Sequence, residues 1–183
     1  MSKPPRTVIR EAVAQRLAAH LPAVDARITP QRIHVHRATP LASGRLPAIL
    51  IYAQQERIEE QPHADPGLRY RKLDVAVDIV AGGATAADDV DTLAQAVEAI
   101  LDQDETLGRL VEGTRLLRIE IDQDGEGETP VLAARLTFEV SYWTKPIEEE
   151  GRLPLHVLYS WVPKIGIPHE PDYVPLTDPP PTP

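Results

Sequence analysis

A chain of 183 residues has room for one ordinary domain and a substantial appendage, because single domains most often run to about 100–150 residues. Hydrophobic residues at 42% and charged residues at 26% support a packed core, which must draw on Val, Ile, Leu and Ala because aromatics reach only 4%. The absence of cysteine excludes disulfides and thiolate sites and fits folding inside a cell, while a net charge of −9 disfavours tight binding to a phosphate backbone.

The N-terminal pattern is interrupted by charge at Arg10, Glu11 and Arg16, and the longest uncharged apolar run covers only residues 48–53. Neither a signal peptide nor a membrane span is expected, since a span needs ~20 apolar residues. Thr7 is placed to cap a first helix in which Ile9, Val13, Leu17 and Leu21 recur every four residues, with Pro22 closing it. Residues 31–37 then alternate, with Ile33 and Val35 on one face and His34 and His36 on the other.

Residues 46–52, LPAILIY, read as a buried strand bounded by Pro47 and by the polar Gln54, Gln55 and Glu56. Pro62, Asp65, Pro66 and Gly67 mark a loop. Next comes the cleanest strand, with Leu73, Val75, Val77 and Ile79 on one face and Lys72, Asp74, Ala76 and Asp78 on the other. Gly82 and Gly83 break it, and a second helix follows with Val90, Leu93, Val97, Ile100 and Leu101 as its stripe and Asp88, Asp89 and Asp91 at its positive end.

Two further alternating segments form a long hairpin: Leu117, Ile119 and Ile121, then Leu136, Phe138, Val140 and Tyr142. The order predicts an α+β fold: a mostly antiparallel sheet with two helices on one face, plus the hairpin. Residues 1–144 form this domain. Residues 145–183 carry 10 of the 19 prolines and read as an extended proline-rich C-terminal arm, on which Val157, Tyr159 and Trp161 share one side.

This succession resembles the lambda-type tail terminator proteins of long-tailed bacteriophages. The resemblance runs through the proline-opened strand at residues 46–52, the alternating strand at 73–79, the acid-opened helix at 88–101, the strand at 116–122, the acidic loop DQDGEGE at 122–128 and the segment LTFEVSY at 136–142. It covers residues 7–144 as order and pattern, without an invariant chemical signature; the arm beyond Lys145 departs from it. The resemblance implies a structural virion protein at the head-proximal end of the tail, assembled in the host cytoplasm. It would be a homo-oligomeric ring, commonly of six subunits, that binds the tail tube protein, stops tube growth and receives head–tail connector or neck proteins. Such a ring needs no cofactor and no membrane, and its acidic charge would let DNA pass without sticking.

Candidate interface residues are the arm aromatics Tyr159, Trp161 and Tyr173 and the basic pair Arg69 and Arg71. Asp122, Asp124, Glu126 and Glu128 start like a calcium loop, but Ala133 stands where the twelfth-place acid is required. They read instead as a solvated hairpin tip facing the channel or a neighbour. A head–tail connector or tail-completion (neck) protein of related fold is one alternative. The other is a small-molecule enzyme or metal-dependent binding module built on Glu59, Glu60, His63 and Asp65. Separately, His34 and His36 lie two apart on a strand and share a face as metal ligands can, but no third ligand stands at a suitable spacing. No nucleophile or phosphate cradle accompanies the Glu59–Asp65 cluster, so no catalytic residue, metal or cofactor is assigned.

Overall fold

The computed structural model describes residues 3–36, 43–59, 68–124, 131–145, 158–159, 168 and 174–175. The chain divides into two compact units, Met1–Pro146 and Ile147–Pro183. The first contains helix α1 (Pro5–Val24), strands β1 (Ile33–Val35), β2 (Ala48–Glu59) and β3 (Arg69–Gly82), helix α2 (Ala86–Asp102), and strands β4 (Gly113–Asp124) and β5 (Val131–Thr144). In the second, β6 (Leu158–Tyr159) and β7 (Val174–Pro175) pair antiparallel, Leu158 opposite Pro175 and Tyr159 opposite Val174.

Helix α1 buries Ile9, Val13, Leu17 and Leu21, the stripe that four-residue spacing predicts. Its ends differ from expectation. The helix starts two residues before Thr7, with Pro5 in the first turn, where the missing N–H would have had no partner anyway. Pro22 lies inside the last turn and does not close it; the helix continues to Val24, and the Asp25 N–H bonds the Leu21 carbonyl at 2.9 Å. Helix α2 carries Asp88 and Asp89 in its first turn, against the positive end of its dipole.

The sheet runs in the order β1-β2-β3-β5-β4, with β1 parallel to β2 and every other pair antiparallel. Ile49 and Ile51 of β2, alternate β3 residues from Leu73 to Ala81, and alternate β5 residues from Ala134 to Tyr142 form one continuous core with the buried stripes of both helices. Both helices therefore cover the same sheet face, and this first unit is an α+β two-layer fold. Strand β2 runs seven residues past Tyr52, through the polar segment expected to end it, because β3 pairs with it on both sides of an irregularity between Ala53 and Glu56.

Among the described residues Phe138 is the bulkiest fully buried side chain, and it sits on β5 between β3 and β4. Phe138→Ala opens a cavity in a dense layer and costs about 3–5 kcal/mol, read as a lowered urea midpoint. A loss below about 1 kcal/mol contradicts this packing.

Candidate functional site

The sheet face turned away from the helices is built by two one-residue bulges, which invert the alternation of side chains. On β2, Ile49, Ile51 and Ala53 face the helices, and an extra residue follows before Glu56. Glu56 then lies opposite Leu73 on the helix side, while Arg57 lies opposite Lys72 on the open side. On β4, Leu116 sits opposite Phe138 and Arg118 opposite Thr137, so Leu117 is the extra residue. From there Arg118, Glu120 and Asp122 point to the open side, and Ile119 and Ile121, opposite Leu136 and Ala134, point to the helix side.

The open side thereby becomes a lattice of ion pairs. Arg57 Nη2 lies 3.2 Å from Asp74 Oδ1 and 2.9 Å from Glu139 Oε2, and Arg115 Nη2 reaches Glu139 Oε1 at 3.2 Å. Arg135 donates from Nε and Nη2 to both Asp78 carboxylate oxygens at 2.7 Å. This fork, foremost among the nearby charges, holds the Arg135 guanidinium more firmly protonated than usual. Arg118 Nε reaches Glu120 at 3.0 Å. Asp78, Glu120, Asp122, Ala133, Ala134 and Arg135 line a hollow of about 390 Å³. Among the described residues no ion pair reaches Asp122.

The other side of β4 is apolar and uncovered: Leu117 is 39% exposed, Ile119 43% and Ile121 61%. Strand β4 also closes the sheet order, so its twelve residues present one row of backbone groups without a strand partner among the described residues. Exposed isoleucines beside an open backbone edge are the kind of surface that templates association with another chain.

The residues singled out from the sequence fall in different places. Arg69 is exposed at the start of β3. Arg71 is held within the domain, its Nη1 2.9 Å from Glu56 and its Nε 2.7 Å from the Thr144 hydroxyl. Glu56 also accepts from the Tyr142 hydroxyl, which burial and this carboxylate push well above the ordinary tyrosine range. Asp122 lies on the open face, Asp124 ends β4, and Glu126 and Glu128 lie outside the described residues. Tyr159 belongs to β6; Trp161 and Tyr173 lie outside the described residues.

Of the acid–base cluster, Glu59 pairs with Lys72 at 2.9 Å, raising the lysine, while Glu60, His63 and Asp65 lie outside the described residues. His34 is in β1, but His36 stands just beyond it with φ 55° and its Nδ1 3.0 Å from Arg10 Nη1, so the two histidines do not share a strand face. Among the described residues no group of three His, Asp or Glu is arranged to hold a metal. The ion-pair lattice was missed by sequence reasoning. Its signal was present in the four-residue spacing of Asp74 and Asp78 on one strand and of Arg135 and Glu139 on another, which places each pair on a single face.

No protein-family model and no curated protein sequence matches the chain. It is similar to a chain from the solved virion of a native gene transfer agent particle, at 17% identity and a TM-score of 0.48, over 73% of this chain and 94% of that one.

A separate hollow of about 310 Å³ lies where Arg27 bridges Asp25 at 2.8 Å and Asp89 at 2.6 Å, tying the end of α1 to the start of α2. The bonds from Arg27 hold both carboxyls below their usual value of 3.8. A depressed carboxyl contributes stability that is complete above its unfolded value and lost as pH falls through the folded one. Arg27→Ala therefore costs about 1 kcal/mol near neutrality, discounted for the half-exposed guanidinium, and nothing once both carboxyls are protonated. Urea midpoints of the two proteins converge below pH 3.8; a gap that stays constant from neutral to acid pH contradicts the bridge.

Proposed function

We propose that the chain is a structural subunit of a phage virion that closes into a ring on the end of a tail tube, stops tube growth and offers its other face to the head or neck. The carrying observation is the twelve-residue edge of β4, unpaired among the described residues and flanked by exposed Leu117, Ile119 and Ile121. Edges of this length template association, and a head-to-tail contact that closes leaves no edge exposed. The order of elements along residues 7–144 is the succession on which the sequence resemblance to tail terminators rests, which supports this reading. The ring acts by shape: one face complements the last tube ring, and the acidic balance of the chain lets DNA pass through. The arm grips a neighbouring chain through Tyr159, Trp161 and Tyr173.

Added to tubes growing from the tail tube protein of the same virus, the purified chain halts elongation and appears in electron micrographs as a ring on one tube end. A chain that leaves tube length unchanged and binds purified heads instead belongs one layer away, as a connector. Trp161→Ala lowers the fraction of capped tubes about tenfold while the urea midpoint of the domain stays put. Undiminished capping removes the arm from the account.

A further inference from the structure

The ring proposal leaves open which surfaces meet. We infer that β4 of one copy pairs antiparallel with β1 of the next, so that the sheet continues from subunit to subunit; this rests on the ring reading and specifies its interface.

Strand direction permits it. β1 runs parallel to β2, and three successive antiparallel pairings lead from β2 through β3 and β5 to β4, so β1 and β4 run in opposite directions. A neighbour placed with its helices on the same side therefore brings its β1 antiparallel to β4. Side chains match on both faces. Ile33 and Val35 lie opposite Ile49 and Ile51, and so on the helix side, where Ile119 and Ile121 also point. Val35 is 36% exposed, so both terminal strands of the sheet show uncovered apolar side chains on that side.

One register aligns these side chains. With Ile33 opposite Ile121 and Val35 opposite Ile119, His34 falls opposite Glu120, and Arg32, which ends the 3-10 turn Pro30–Arg32 leading into β1, comes next to the position of Asp122. Among the described residues Arg32 has no carboxylate partner, and one of its guanidinium nitrogens is shielded from solvent without an acceptor. Asp122 is the β4 carboxylate that no ion pair reaches. Each charge is thus the complement that the other lacks. A β4–β4 pairing between two copies leaves Val35 and Arg32 unmet, and its two-fold symmetry produces a dimer where a ring needs a heterologous contact.

The chain contains no cysteine, so introduced pairs report cleanly. In a glutathione redox buffer, Val35→Cys/Ile119→Cys forms a disulfide ladder that stops at one closed oligomer, while Ile119→Cys alone stays unlinked. Sedimentation velocity shows Arg32→Glu and Asp122→Arg each raising the concentration for half-assembly about tenfold, with the double variant restoring it. Rings that assemble normally while the cysteine pair stays unlinked and both charge reversals are silent overturn the edge pairing alone. Dimers from Ile119→Cys alone overturn it in favour of β4–β4 contact. Wild-type protein that stays monomeric both free and with tubes overturns the ring and this interface together.

Discussion

Two helices cover one face of a five-stranded sheet, and the cover is incomplete at β4. The layer between helices and sheet holds Leu17, Leu21, Leu93, Val97, Val77, Leu136 and Phe138 out of water, and burial of this kind stabilises by about 25 cal/mol per Å² of apolar surface. Sheet order places β3 and β5 at the centre of that layer and β4 at its margin. Ile119 and Ile121 occupy the same sheet face as Phe138, yet remain substantially in solvent. Exposed isoleucine on a long sheet edge is an aggregation hazard unless a partner covers it.

The open face solves a different problem. A sheet covered by helices on one side must show its other side to solvent or to a partner, and this chain furnishes it with alternating charge. Neither Arg57 nor the run of Arg118, Glu120 and Asp122 would reach that face by simple alternation; the bulges at residues 53–56 and at Leu117 turn them there. The ion pairs at this surface are individually weak contributors to stability. Collectively they fix the rotamers of a face that can then meet a rigid neighbour with little further ordering. Asp122, left without a cation among the described residues, marks the end of that lattice at the β4 edge of the sheet.

Much of the architecture was legible in the residues. The four-residue stripe from Ile9 to Leu21, the alternation of β3 and the match of the last two strands all rest on local periodicity, which tertiary packing reinforced. The ends of α1 were less readable, because a proline in a first or last helical turn costs little and marks no boundary. The bulges escaped entirely: a single extra residue leaves no compositional trace, and it decides which face every later side chain occupies. Leu117, Ile119 and Ile121 read as one face of an alternating hairpin strand, and only the sheet order reveals that their strand is terminal. The arm's Trp161 and Tyr173 and the acidic Glu126 and Glu128 lie outside the described residues.

The account turns on whether the backbone edge of β4 is covered when copies associate. Hydrogen exchange of the Gly113–Asp124 amides, followed by mass spectrometry in dilute and in assembled protein, measures this directly. Edge pairing predicts that the outward-pointing amides around Ile119 and Ile121 exchange fast when dilute and become protected on assembly, together with those of Ile33–Val35. Assembled protein in which both segments exchange as fast as in the dilute state contradicts it.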